Sequence, residues 1–182
     1  MVADAVLAFA PVQVARLSEQ GPWRLLVRSD FANGLVEAME GLAVIGSLAA
    51  DTLRVERGEP AWGFEASGWL GPVATGLALQ LDPARTGFIG EAALRAGRSP
   101  LADRTCRLFS LATTHTGPLA LEPILGANGT VGHVSSSMHV PRGGHLKLFG
   151  LVQPEAGDDL HVLVDGHRAP LVSSLSGGHA HG

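Results

Sequence analysis

The residues with the most chemical potential in this chain are its eight histidines, all of which fall between His115 and His181. Histidine is the side chain whose charge changes nearest neutrality and the commonest metal ligand, so the final third could bind a cation, sense protons or do acid–base chemistry. Spacing decides which of them can cooperate. His133, His139 and His145 lie six apart, which on one straight strand leaves neighbours about 20 Å from each other at roughly 3.3 Å per residue, too far to share a metal. A turn at Pro141-Arg142-Gly143-Gly144 changes that. If Val140 pairs with Gly144, His139 lies opposite His145 with Cβ atoms about 5 Å apart, and the two imidazoles could hold a divalent metal or repel each other when protonated. His139 and His145 are therefore the candidate metal ligands, and a divalent cation is the only cofactor the residues suggest.

The other regular pair does not converge. A two-residue Asp165-Gly166 hairpin pairs Val164 with His167, and parity then places His161 on the opposite face. The tail Ser176–Gly182 holds the one His-x-His, which reads as a metal scavenger or a plain tail. The run Ser135-Ser136-Ser137 beside His133 and His139 resembles a nucleophile and base only in composition, because successive strand residues face opposite sides. Ordinary strand, loop and surface histidines, a metal or ligand site, and a pH-dependent interface all stay open. From His115 onward five acidic residues oppose three basic ones, so this stretch passes from −2 to +6 when all eight histidines are protonated.

The elements that must position these residues are short. Twenty-four glycines and eleven prolines divide the chain into apolar pieces of strand length. Strands are expected at Trp23–Arg28, Ala43–Ser47, Leu53–Glu56, Trp62–Trp69 and Gly76–Leu81. Others follow at Leu119–Leu125, Gly132–Val140, His145–Val152, Leu160–Val164 and His167–Val172. Between the first two, Ser29-Asp30 caps a short helix running to Glu40, with Phe31, Leu35 and Met39 on one stripe. Residues 87–108 read as a helix, a loop and a second short element. The fold class is thus mainly β, or α+β, with short antiparallel strands in a sandwich or barrel and one or two short helices near 30–40 and 87–108. A histidine-free part, 1–114, precedes a histidine-rich hairpin part, 115–182, as one compact domain or two closely packed halves.

Composition bounds the function. With 46% hydrophobic and 16% charged residues and a mean hydropathy of +0.22, the chain folds and presents apolar surface for other subunits or copies of itself to cover. A net charge of −4 argues against nucleic acid, and the five arginines between Arg85 and Arg107 read as a solvated face. One cysteine, Cys106, excludes an internal disulfide and points to a reducing cytoplasm. The apolar start carries Asp4 and lacks a basic region, so no signal peptide is expected, and no run reaches the length of a membrane span. Asn128-Gly129 reads as a turn. Phosphate-binding glycine loops and Gly-x-Ser-x-Gly are absent.

These features lead to a self-associating structural or binding protein, non-catalytic, forming part of a homo-oligomer, particle or multi-subunit assembly. The alternative is a small metal-dependent enzyme or metal-binding module using the histidines. The order of Leu35-Val36-Glu37-Ala38-Met39, then Ile45-Gly46-Ser47-Leu48-Ala49-Ala50-Asp51-Thr52-Leu53-Arg54, then Phe64-Glu65-Ala66-Ser67-Gly68 also resembles the plants-and-prokaryotes conserved domain, a small fold. That resemblance implies a trimeric α+β protein and assigns no site residues.

Overall fold

The computed structural model describes residues 2–16, 22–68, 70–82, 84–96, 103–140 and 144–174. The chain forms two compact units divided between Ile45 and Gly46.

The first unit is a three-stranded antiparallel sheet, β1 (Val2–Leu7), β2 (Ala10–Ala15) and β3 (Arg24–Val27), followed by helix α1 (Ser29–Ala38). Alternation sends Ala10 and Val12 inward to pack with Leu35 of α1, with Phe31 and Met39 at the margin, so the expected apolar stripe is the buried one. The predicted capping by Ser29-Asp30 is replaced: Arg28 is the N-cap and no side chain closes the helix end, while Asp30 pairs with Arg28 at 2.8 Å. Gly34, a poor helix residue, is explained by Phe9, whose Cζ would lie 2.6 Å from any Cβ there.

The second unit begins with helix α2 (Ser47–Glu56) and passes through turns, a short 3-10 turn at Leu77–Gln80 and a five-residue helix α3 (Glu91–Arg95). Six antiparallel strands then close into a barrel: β4 (Thr105–Ala112), β5 (Pro123–Gly126), β6 (Gly129–Val140), β7 (His145–Val152), β8 (Leu160–Val164) and β9 (His167–Ser173), in the order β4-β7-β6-β5-β8-β9. A barrel of six strands is narrow enough for side chains to fill. Phe109 and Leu111 from β4, Leu146, Leu148 and Val152 from β7, and Ile124, Val134, Leu160, Val162 and Leu171 form that filling. Gly150 continues the inward row of β7, and a Cβ there would meet Ile124 Cδ1 at 2.4 Å and Phe109 Cε2 at 2.9 Å.

The intervening residues point outward, and on one side they are also buried. Leu108 of β4 and Phe149 of β7 join Val55 of α2 in a separate cluster flanked by Cys106 and Met138, so α2 covers part of the barrel's outer wall.

The mainly β architecture with a barrel and few short helices is as the composition and punctuation predict. Several local expectations are corrected. Ala43–Ser47 is not a strand, since residues 43–46 carry no regular structure and Ser47 begins a helix; Leu53–Glu56 is not one either, because Ser47–Glu56 is one helix. Of Trp62–Trp69 the described residues form only a bridge between Trp62 and Ala66, and Trp69 lies outside them; Gly76–Leu81 is a 3-10 turn. The expected α element of 87–108 shrinks to α3, its second part is β4, and residues 97–102 lie outside the described residues. β1 and β2 were not anticipated.

Candidate functional site

The most concentrated polar chemistry sits where α2 and the following loop meet the barrel wall. Glu65 is fully buried. Its Oε2 accepts hydrogen bonds from Arg54 Nη1 at 2.9 Å and from the backbone N–H of Ala61 at 3.0 Å. Its Oε1 accepts from the hydroxyls of Ser135, at 3.0 Å, and Ser136. Arg54 is itself held by Asp51 at 2.8 Å and lies over the Phe64 ring, 5.5 Å from its centroid. A buried charge needs such a set: an opposite charge plus donors for its remaining lone pairs.

Two adjacent serines reach one carboxyl because the strand is irregular. β6 pairs with β7 as Val134↔Gly150 and then Ser136↔Phe149, leaving Ser135 as a bulge. The bulge breaks the alternation that would send Ser135 and Ser136 to opposite faces. It corrects the simple parity argument, and it recruits the serines as ligands of a carboxyl rather than as nucleophiles. Sequence reasoning missed Glu65 altogether.

A second feature is an open recess of about 660 Å³ lined by Phe88, Gly90, Glu91, Ala92, Ala93 and Arg95. Glu91 accepts from Arg95 Nε at 2.7 Å and from Gly87 N–H at 2.7 Å. Those two donors, Arg95 first, hold its carboxyl below the usual range. The recess therefore combines a persistent negative charge, an aromatic ring and small side chains.

The histidines are dispersed. Val140 pairs with His145 rather than with Gly144, and His139 pairs with Leu146. Directly opposed residues share a face, so His139 shares that of core residue Leu146 while His145 shares the outer face of Val140. The connection from Val140 to His145 holds four residues instead of the expected three, and with a period of two that single residue separates the rings. Val164 does pair with His167, and His161 pairs with Pro170, leaving those two histidines on opposite faces. His115 Nδ1 lies 3.3 Å from Asp165 Oδ2, and His161 Nδ1 is 3.9 Å from Asp159. Among the described residues no three His, Cys, Asp or Glu side chains converge as a metal site. His179 and His181 lie outside the described residues.

Cys106, beside the Glu65 cluster, is pushed up to about 12, first by burial and then by the Glu65 charge, with Arg54 opposing. It is a structural thiol rather than a nucleophile. No helix among the described residues is long and apolar enough to cross a membrane.

Comparison with known proteins gives a consistent direction. No family profile matches the chain. It is 29% identical over 159 residues to an aminomethyltransferase of Streptomyces coelicolor, covering 81% of this chain and 43% of that protein. Its fold resembles the crystal structure of the glycine cleavage system aminomethyltransferase T from Bartonella henselae, with a TM-score of 0.71 at 20% identity, over 91% of this chain and 49% of that one. The chain thus spans less than half the length of either protein. These findings overturn the expected non-catalytic structural or assembly protein, because the similar proteins are enzymes. They also replace the plants-and-prokaryotes conserved domain reading, whose middle segment lies in α2 and whose first segment belongs to the other unit.

Proposed function

We propose that this protein is an aminomethyltransferase-like enzyme component that handles an aminomethyl group, –CH2–NH2, on its way from a donor to an acceptor. The observation that carries the reading is the 29% identity to the Streptomyces coelicolor enzyme across 159 residues. The likeness of fold to the Bartonella henselae protein over 91% of the chain is in keeping with it.

The chemistry of such a group states what a site must offer. When the bond from the methylene carbon to the donor heteroatom breaks, its electron pair leaves with that atom, and the nitrogen lone pair closes a C=N bond to give a cationic iminium. A lone pair on the acceptor then forms the new bond to carbon. The proton the acceptor gives up passes to the transferred amine, and the bond from carbon to that amine breaks, expelling ammonia and leaving the methylene on the acceptor. The cation needs a nearby negative charge, and water must be kept away because it would capture the same carbon. The recess at Phe88–Arg95 meets the first of those demands: Glu91 supplies the charge beside Phe88, Ala92 and Ala93, in a recess that is open to water. In this reading Glu91 is the residue that meets the amine, and Arg95 keeps its carboxyl ionised and oriented. The buried Glu65 cluster is a positioning element that fixes the loop after α2 on the barrel. A reducing cytoplasm suits its lone thiol.

The test is a glycine cleavage system assembled without its aminomethyltransferase and supplemented with this chain, fed 15N-labelled glycine. Labelled ammonia released above the unsupplemented level is the expected result. Background release from a chain shown to be folded by circular dichroism overturns the reading.

A further inference from the structure

The chain holds two asparagines, and both stand in the same tripeptide, Ala32-Asn33-Gly34 and Ala127-Asn128-Gly129. An Asn-Gly pair carries its own chemistry. The backbone nitrogen that follows asparagine can attack the side-chain carbonyl carbon, and glycine, which has no Cβ, leaves that approach unhindered. By sequence the two sites are equivalent, and both side chains are exposed. Their backbones differ.

Asn33 lies in the middle of α1. An α-helix bonds the N–H of Gly34 to the carbonyl four residues earlier, that of Asp30, so a five-membered ring through that nitrogen can close only after the helix opens locally. Phe9 packs on the same spot, its Cζ 2.6 Å from where a Cβ on Gly34 would stand. Asn128 instead shares with Ala127 the turn between β5 and β6, where Gly126↔Gly129 is the last pair of the ladder. Gly129 has a φ of 120°, and nothing occupies the space beside its Cα. Freeing its N–H opens only that terminal pair and leaves Leu125↔Thr130 in place. The ends of elements open at the lowest cost.

We propose that Asn128 is a site of spontaneous covalent modification, its side-chain amide becoming a carboxylate, and that α1 spares Asn33. The Gly129 nitrogen gives its proton to a base in the solvent, and its electron pair forms a bond to Asn128 Cγ. The Cγ–Nδ2 bond breaks, and the nitrogen takes up a proton and leaves as ammonia. Water then opens the resulting succinimide, adding hydroxyl to one carbonyl carbon and hydrogen to the ring nitrogen. Opening at Cγ gives aspartate; opening at the backbone carbonyl gives isoaspartate, whose main chain runs through the side chain and is one carbon longer. That longer turn no longer matches Gly126↔Gly129. The β6–β7 ladder, whose register is set by buried residues such as Val134, Leu148 and Val152, keeps its pairing.

The full chain is kept folded in mildly alkaline buffer made with 18O-labelled water, beside a sample unfolded in urea, and both are followed for several weeks by peptide mass spectrometry. In the folded sample the Asn128 peptide should gain a labelled carboxyl about tenfold or more faster than the Asn33 peptide, equivalent to ~1.4 kcal/mol or more for opening the helix. In urea the two sites should react at similar rates. Folded Asn128→Gln, which has to close a six-membered ring, should gain no label at that position. Equal rates at the two sites in the folded chain overturn the proposal, as does a folded Asn128 that stays unlabelled while the urea sample reacts. The ammonia released in this step comes from the chain's own amide and is unlabelled, whereas the aminomethyl reading is judged by 15N from glycine, so the two fail separately.

Discussion

Glu65 provides the sharpest test of how the segment before the barrel is held. Its carboxyl is fully buried and accepts from one guanidinium, one backbone N–H and two hydroxyls. In Glu65→Ala the charge disappears, but Ala61 N–H and both serine hydroxyls lose their acceptor and a cavity opens beneath the loop. Breaking a buried pair from one side costs about 3–5 kcal/mol. Arg54→Met should cost a similar amount, because it leaves the carboxyl buried with only neutral donors. Glu65→Gln is milder: an amide oxygen in the Oε2 position still serves Arg54 and Ala61, while its NH2 faces hydroxyls that can rotate to accept. About 1–2 kcal/mol is expected. The double change Arg54→Met/Glu65→Leu should be less destabilising than the sum of its parts, since no charge is stranded. The two compact units call for a local readout, so unfolding should be followed by urea-dependent hydrogen exchange of barrel amides. With a slope near 2 kcal/mol per molar urea, Glu65→Ala should shift the midpoint by roughly 1.5–2.5 M. A shift equivalent to less than about 0.5 kcal/mol, within the range of ordinary surface substitutions, would refute the account of this cluster as the anchor of the loop.

Gly132→Ala should disrupt the β6–β7 pairing, because its Cβ would lie 2.2 Å from Leu151 O and 2.8 Å from Val152 Cα. Backbone atoms cannot step aside, so a loss of about 3 kcal/mol or more is expected in the same exchange assay, and a neutral variant would contradict the register. Cys106 predicts an alkaline weakness. The folded state keeps the thiol proton to about pH 12, whereas an unfolded thiol releases it near 8.5, so stability falls as pH rises from about 9 to 12, by up to ~1.4 kcal/mol per unit. The chain has no tyrosine and a single lysine among its 13 basic residues, so few other groups titrate there, and Cys106→Ala should flatten the slope; an unchanged slope would rule the thiol out. Glu91→Gln should lower ammonia release about tenfold or more, the worth of a charged hydrogen bond, with the fold intact. Since Arg95 and Gly87 hold the Glu91 carboxyl low, wild-type activity should not decline from this group until pH falls below the usual carboxylate range.

How much of this was legible depended on whether the deciding interaction was local. The hairpin from β8 to β9 was readable because Asp165 and Gly166 adopt φ of 50° and 81°, the left-handed values that a two-residue turn between twisted strands demands and that Asp-Gly tolerates. β6 and β7 were readable from their alternation. α2 was not, since its two ends, Ser47 and Leu53–Glu56, each look like the edge of a short apolar strand, and only docking of Val55 on Leu108 and Phe149 selects the helix. Tertiary packing overrides local propensity at such places. β1 was hidden in a different way: an apolar terminus invites a question about targeting, and its pairing with β2, as in Val6↔Pro11, leaves little periodic trace across six residues.

The site was less legible because its parts lie far apart in the chain. Glu65 meets Ser135 and Ser136 across 70 and 71 residues, and no spacing rule joins them. The bulge that turns both serines to one side is itself invisible until the register with β7 is known. The histidines had the opposite problem: spacing gave them an apparent logic that a single extra turn residue dissolved. Pairing His139 with Leu146 instead of His145 moves one ring to the core face and leaves the other outside. The same extra residue does nothing to the hydrophobic pattern, because Leu146 and Leu148 still reach the interior. Burial specifies the barrel's register firmly, and the polar residues go where that register sends them. Clustering of a residue type along a sequence therefore says less about a site than one buried charge, whose partners must be present for the fold to tolerate it.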